Sequence, residues 1–290
     1  SYRVLSRLGD VMDDGFTVPD NADGMGCFDL GGGRLALVRN HELRSAGDGG
    51  GVAGPAFDTI QRSLVPLPGG TTTIVLDAAS LQVERQYRSL AGTIRNCAGG
   101  ITPWGSWLTC EEDVSRPDGR INRDHGWVFE VPATAPGLVD PVPLTAMGRF
   151  NHEAACIDPG TGIVYMTEDR GDGLFYRFLP RTPGRLTDGG VLQALVVPGK
   201  TDTRNWEARQ VDAGEWLPAT WITLRRSARA RRCSGRGPVR ARRGHLDGRG
   251  RTLLHLHQRR RGPARTDLPP APARRRRRRV AAVLREPLAG

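Results

Sequence analysis

Several features that would point to common protein classes are missing from this chain. It has no run of about 18 apolar residues, which argues against a transmembrane helix. Its five cysteines form no CxxC pair and are odd in number, so neither a zinc ribbon nor a complete disulfide framework is indicated. No long apolar period of about 3.6 residues predicts a helical core. No charged, apolar leader follows Ser1, and we expect any export signal to precede it.

Aromatic residues and lysine are missing from the end of the chain. Every Trp, Tyr and Phe lies before Arg225, as does the single lysine. Residues 1–224 hold 20 of the 42 basic and 28 of the 31 acidic residues, a net charge of −8, whereas 225–290 carries +19. A segment of that composition cannot bury much core. We therefore predict a folded unit over 1–224 and a basic, low-complexity, disordered Arg-rich tail over 225–290.

Short β-rich runs alternate with Gly, Pro and Asp turns in the first part. A Pro-Gly turn marks a hairpin over 156–165. Such spacing leaves a sandwich, a barrel or a propeller, and the repeat of Asn-His-Glu at 40–42 and 151–153 favours radial repetition. The sequence thus predicts an all-β fold, an incomplete β-propeller, with strands at 34–38, 71–76, 83–87, 106–109, 126–131, 163–167, 174–178 and 191–197.

Carboxylates follow or end several of these strand-like segments, and one cysteine lies among them in sequence. A propeller would gather the inner strand ends around one channel, where convergent carboxylates repel each other unless cations lie between them. One soft thiolate with many hard oxygens favours iron plus calcium or magnesium. The predicted metal ligands are Glu42, Cys97, Glu111, Glu112, Glu153, Glu168 and Asp169.

Each of these residues also has a simpler interpretation. Free cysteines are often buried apolar fillers, and Cys97 precedes a small-residue segment, 98–100, that we interpret as a turn. Glu111 and Glu112 alternate in direction along a strand, so only one faces a channel unless a bulge intervenes. The segment 20–24 is interpreted as a plain acidic turn. Neither His-Glu pair forms H-E-x-x-H, so histidine-bound zinc is not favoured.

Taken together, the motifs of residues 10–224 resemble the PhoX family of bacterial alkaline phosphatases. The resemblance rests on Asp-Gly-Met-Gly at 23–26, Arg-Asn-His-Glu at 39–42, the segment from Gly92 to Glu112, Gly-Arg-Phe-Asn-His-Glu-Ala at 148–154, Thr-Glu-Asp at 167–169 and Gly-Leu-Phe-Tyr-Arg-Phe at 173–178. It implies a propeller with a bridged iron pair and adjacent calcium ions that hydrolyses phosphomonoesters. It also implies twin-arginine export to the periplasm or the outside.

The resemblance also suggests roles for individual residues. It matches Cys97 and Glu153 to iron ligands of the family. It places Glu42, Glu111 and Glu112 at calcium-side acidic positions without deciding between the last two. Glu168 and Asp169 match the family's acidic positions more loosely. The catalytic residues beyond the metal ligands stay undetermined, and we expect a monomer without a membrane span.

The resemblance ends near Leu224. Family members continue with Arg-x-Glu-Gly-x-Trp and Tyr-Phe-Thr-Ser-Thr-Ser-Gly-Gly, which this chain lacks. If 255–260 is encoded CAC CTC CAC CAG CGG CGG, a reading one base along gives Thr-Ser-Thr-Ser-Gly. We therefore hypothesise that the segment from about Arg225 is a frameshift product of a GC-rich gene. The competing interpretation is a genuine tail that binds nucleic acid or membrane.

The sequence thus predicts a PhoX-like metal-dependent phosphomonoesterase that is truncated and impaired in its present form. Two alternatives stay open. One is a non-catalytic propeller that binds a ligand, and the other is nucleic-acid binding through the basic tail.

Overall fold

The fold is almost entirely β-structure. The computed structural model describes residues 2–44, 47–200, 202–205, 208–224 and, as backbone only, 281–285. Among these residues the only helices are two short 3-10 turns, Thr145–Met147 and Leu186–Asp188. The strands are β1 (Tyr2–Arg7), β2 (Ala22–Gly31), β3 (Arg34–His41), β4 (Gly69–Asp77), β5 (Val83–Thr93), β6 (Asn96–Ile101), β7 (Ser106–Glu111), β8 (Val128–Pro132), β9 (His152–Ile157), β10 (Val164–Glu168), β11 (Phe175–Pro180), β12 (Gly190–Val196), β13 (Thr220–Thr223) and β14 (Ala281–Arg285).

Three antiparallel sheets follow one another along the chain. The first contains β2 to β5, the second β6 to β8 and the third β9 to β13, and in each sheet neighbouring strands are consecutive in sequence. None of the sheets in the described residues closes into a barrel. Successive up-and-down sheets of this kind are the blades of a β-propeller. The prediction of an all-β, incomplete propeller is confirmed, with three blades described.

The first strand of each blade lies on the inside, where β6 contacts both β2 and β9. Glycines permit this close contact. A Cβ added at Gly24 would lie 2.8 Å from Cα of Ala98, and one added at Gly100 would lie 2.1 Å from the carbonyl oxygen of Ala155. Backbone approaches this close leave no space for a side chain. The inner strands therefore pack backbone to backbone, which brings the side chains near their ends together.

The β-branched and aromatic runs identified in the sequence all form strands, and most of these strands are longer than predicted. The hairpin over 156–165 is confirmed, since Ile157 pairs with Val164. The prediction of a turn at 98–100 is wrong, because these small residues belong to β6. Their glycines serve close packing between blades rather than chain reversal.

Two apolar layers hold the blades together. One layer packs the second blade on the third through Leu108, Cys110 and Val128 against Met166, Tyr176 and Phe178, among others. The other packs the first blade on the second and includes Phe28, Val38, Leu90, Trp107 and Phe129. Burial of such side chains contributes about 1.5–3 kcal/mol each, so these layers position the inner strands firmly.

A further two-stranded sheet pairs β1 with β14 in antiparallel register, with Val4 opposite Val283. β14 comes from the segment that we predicted to be a disordered tail. The remainder of that segment, 225–280 and 286–290, lies outside the described residues.

Among the described residues there is no helix of the length and apolarity needed to cross a bilayer.

Candidate metal centre

Acidic side chains and one thiol converge where the inner strands of the three blades meet. Two sets have potential ligand atoms within 4.8 Å of one another: Asp23, Glu42 and Cys97 form one, and Cys97, Glu112 and Glu153 form the other. Cys97 belongs to both sets. Together with Asp169, whose side chain hydrogen-bonds that of Glu112, we call these residues the inner cluster.

Each blade contributes two members of the inner cluster. Asp23 lies in β2, Cys97 in β6 and Glu153 in β9, all on inner strands. The other members, Glu42, Glu112 and Asp169, directly follow β3, β7 and β10. Every blade thus supplies one residue from its first strand and one from the end of its second strand. The cluster is a product of blade geometry, with no local ligand motif.

Cys97 is held in place through its backbone. The buried Asn40 side chain donates through Nδ2 to the carbonyl oxygens of Cys97 and Ala98, at 3.0 and 2.9 Å. Its Oδ1 accepts from Trp107 Nε1 at 2.9 Å and from Thr109 Oγ1 at 2.7 Å. This one amide therefore links β3, β6 and β7 directly behind the thiol. The Cys97 Sγ lies 3.5 Å from Glu153 Oε2, as a thiol donor to a carboxylate.

The charges of the inner cluster shift the pKa values of its members. Burial raises the pKa of Cys97 far above its usual value, and the nearby Glu153, Asp23, Glu42 and Glu112 raise it further. For Glu112 burial raises the pKa to about 7, with Asp169 and Glu153 adding to the shift and Arg95 opposing it. In the metal-free protein the Cys97 thiol thus stays protonated and Glu112 holds a proton more tightly than an ordinary glutamate does, which is the electrostatic environment that a cation relieves.

The donor set matches the predicted metals in chemical type. A thiolate suits iron, and carboxylate oxygens suit calcium as well as iron. Cys97 and Glu112 are buried, whereas Asp23, Glu42 and Glu153 are half-buried, so a bound ion would lie between the protein interior and solvent. The residues present therefore fit a mixed iron and calcium centre on the chemistry of their donor atoms.

Glu111 does not join the inner cluster. Its fully buried carboxylate accepts hydrogen bonds from the backbone amides of Ile94, Gly126 and Trp127, and from His125 Nδ1 at 2.7 Å. Successive strand residues point to opposite faces, and the structure turns Glu112 inward and Glu111 away. Of the adjacent pair predicted from the sequence, the structure therefore brings Glu112 to the inner cluster and Glu111 to a separate set of hydrogen-bond donors.

Glu168 is also turned away from the cluster. Its carboxylate accepts from Tyr176 Oη at 2.8 Å and from the backbone amide of Leu174 at 3.2 Å, within its own blade. Its neighbour Asp169 lies at the cluster beside Glu112. Of the predicted pair at 168–169, the structure therefore brings only the second residue to the centre.

Asp23 is the member of the inner cluster that the sequence analysis did not include among the candidate ligands. The segment 20–24 was interpreted as a plain acidic turn, but Asp23 begins the inner part of β2. The sequence feature that could have identified Asp23 is its position in the Asp-Gly-Met-Gly motif, where Gly24 allows close contact with β6. The two histidines beside the predicted glutamates serve other purposes: His41 hydrogen-bonds Asp20 O and Thr72 Oγ1, and His152 bonds Gly148 O.

Comparison with known families gives an assignment for this architecture. The family described as alkaline phosphatase PhoX matches residues 69–244, which is more than half of the chain. The chain belongs to the PhoX family. The matched range includes Cys97, Glu112, Glu153 and Asp169, whereas Asp23 and Glu42 precede it. It also extends into the first part of the segment that the sequence assigns to an out-of-frame tail.

Among solved structures, Pseudomonas fluorescens PhoX in complex with vanadate, a transition state analogue, is similar to this chain at 21% identity and a TM-score of 0.46. The similarity covers 68% of this chain and 52% of that chain, so this chain spans about half the length of that protein. Comparison with curated proteins gives no match. PhoX alkaline phosphatases are a metal-dependent family, in keeping with the inner cluster.

Proposed function

We propose that this chain is a PhoX-type metal-dependent phosphomonoesterase whose metal ions are iron and calcium. The observation that carries the proposal is the convergence of Cys97 with Glu112 and Glu153 in a member of this family. Glu42 and Asp23, together with the shared thiol of Cys97, would hold a second metal position. Asp169 lies beside Glu112. We propose a periplasmic or secreted location, as is general in the family.

Bound cations would supply charge neutralisation for phosphoryl oxygens and a more acidic bound water. The protein residues have separate tasks. Cys97 and Glu153 would provide the soft and hard donors of one position, in which the thiol is buried and the carboxylate half-buried. Asn40 holds the thiol in place from behind through two carbonyl contacts. Arg95 lies at the same centre, paired to Glu42 and Glu112, and limits the local negative charge.

We further propose that the present sequence is truncated by a frameshift near Leu224 and is impaired in catalysis. The support is the loss of aromatic residues and the charge reversal after that point, and the shifted-frame reading of 255–260. A propeller without its later blades keeps an open sheet edge and part of its metal centre. Independent resequencing of the locus tests this, and an intact single frame in the reads would contradict it.

The proposed function is tested by metal content first and by activity second. The purified full chain is loaded with iron and calcium, desalted and analysed by mass spectrometry, alongside Cys97→Ala, Glu153→Gln and the control Cys156→Ala, whose thiol is exposed. We expect iron to be retained by the wild type and the control and to be lost from the two cluster variants. Equal retention in all four would contradict the metal assignment.

Activity is then measured on the frame-restored gene product with an aromatic phosphomonoester. We expect turnover that depends on added metal and that drops by at least about 100-fold on Cys97→Ala. Metal retention without turnover in the restored protein would instead indicate the non-catalytic, ligand-binding propeller.

A further inference from the structure

A positive charge is already present inside the inner cluster. The Nε atom of Arg95 lies 3.0 Å from Glu42 Oε1, and its Nη1 atom lies 3.0 Å from Glu112 Oε1. The guanidinium therefore joins a carboxylate of one potential ligand set to a carboxylate of the other. About a quarter of the Arg95 side chain is exposed, so it lies at the boundary between the cluster and solvent.

The backbone of Arg95 is attached to the segments that carry both carboxylates. Its amide donates to Leu43 O at 2.8 Å, next to Glu42, and its carbonyl oxygen accepts from the amide of Glu112 at 3.0 Å. The Nη1 atom also donates to the carbonyl oxygen of Glu112 at 3.0 Å. Arg95 has a φ of +52°, in the left-handed region that non-glycine residues rarely adopt. These contacts fix the backbone of Arg95, so its side chain extends from a defined point between the two glutamates.

Arginine cannot leave this position by losing its proton, because the guanidinium stays charged throughout the accessible pH range. It engages one oxygen of each glutamate, and its positive charge opposes the binding of a calcium ion to the same two carboxylates. The internal cation and a metal ion thus compete for these two carboxylates.

We propose that Arg95 is an internal counter-ion that competes with metal for Glu42 and Glu112. This inference rests on the proposed function, because it concerns the metals of that same site. Arg95 keeps the carboxylates together while the centre is empty. Its partly exposed side chain would give up these two ion pairs if a hard cation took the same oxygens.

The test is calcium binding to the full, chelator-stripped chain by isothermal titration calorimetry. We compare the wild type with Arg95→Gln, Arg95→Lys and the control Arg44→Gln, whose exposed guanidinium only approaches Asp113 at 3.9 Å. We expect Arg95→Gln to bind calcium about tenfold more tightly, since a competing charge is removed. Arg95→Lys should show a smaller gain, because lysine lacks the fork that spans two carboxylates, and Arg44→Gln should match the wild type.

Thermal unfolding and circular dichroism of each variant establish that the fold is retained. If Arg95→Gln does not fold, the lysine variant alone decides, and its affinity must then exceed that of the wild type. Calcium affinity that is equal or weaker in a folded Arg95 variant overturns the counter-ion role alone. Absence of both calcium and iron binding in every variant overturns this inference and the proposed function together.

Discussion

At the scale of single residues, Asn40 shows how much of the centre depends on groups that touch no metal. All four of its hydrogen bonds are to protein groups, and its side chain is fully buried. A buried polar group that loses its partner costs about 1–3 kcal/mol. The Asn-His-Glu repeat at 40–42 therefore combines a structural residue with a candidate ligand two positions later.

We predict that Asn40→Ala lowers the free energy of unfolding by at least about 3 kcal/mol, because it leaves several buried partners unsatisfied at once. Urea denaturation measures this. Gln82→Ala, at an exposed position, is the matched control and should change stability by less than about 0.5 kcal/mol. Similar stability of the two variants would show that Asn40 does not hold β6 in place.

The pH dependence of stability depends on His125. This buried ring bonds Glu111 Oε1 at 2.7 Å and Asp58 Oδ2 at 3.2 Å. Burial acts to lower the pKa of His125, but the hydrogen bonds and charges of Glu111 and Asp58 outweigh it and raise the pKa above its usual 6.5. The folded state thus binds the proton more tightly than the unfolded state does. The resulting stability is fully present below pH 6.5 and is lost as the pH rises through the folded-state value.

We therefore predict that the unfolding free energy of the chelated protein falls as the pH rises above about 6.5, and that His125→Gln flattens this slope. Urea denaturation at several pH values provides the measurement. His152→Gln is the control, since burial lowers the pKa of His152 to about 3 and keeps it neutral throughout this range. A slope that persists unchanged in His125→Gln would assign the effect to other groups.

At the scale of elements, the inner strand β6 depends on its glycines. We predict that Gly100→Ala destabilises the protein by about 1–3 kcal/mol and weakens calcium binding, because the new Cβ would push β6 from β9 and displace Cys97. Gly137→Ala is the matched control, as nothing lies within 4 Å of its added Cβ. Urea denaturation and calorimetry measure the two effects. Unchanged calcium affinity in Gly100→Ala would show that the β6 to β9 contact does not position the thiol.

Strand existence could be predicted wherever apolar, β-branched residues dominate, as in 71–76. It could not be predicted for β6, because glycine and alanine carry no strand signal and their role lies in close contact between blades. The metal centre shows the same division. Glu42, Cys97, Glu112 and Glu153 follow from motif positions, whereas the choice between Glu111 and Glu112 depends on strand orientation at that point. Only the three-dimensional structure shows this strand orientation.

At the scale of the whole molecule, the two parts of the chain have opposite charge. Residues 1–224 carry a net charge of −8 and 225–290 carry +19. If 225–290 is a genuine segment, we predict that the full chain binds duplex DNA without sequence preference and that the affinity falls steeply with salt, because arginines displace counter-ions from phosphates. Fluorescence anisotropy over a salt series measures this. Removal of 225–290 should abolish DNA binding, and persistent binding by 1–224 would place the nucleic-acid surface in the propeller itself.

The arrangement of the inner cluster also has a consequence for biosynthesis. Its members come from three consecutive blades, with Asp23 in the first and Glu153 and Asp169 in the third. During synthesis, a nascent chain that has released only one or two blades lacks part of the ligand set. Metal capture by Cys97, Glu112 and Glu153 can therefore follow, but cannot precede, assembly of the third blade, whereas the set of Asp23, Glu42 and Cys97 is complete with two blades.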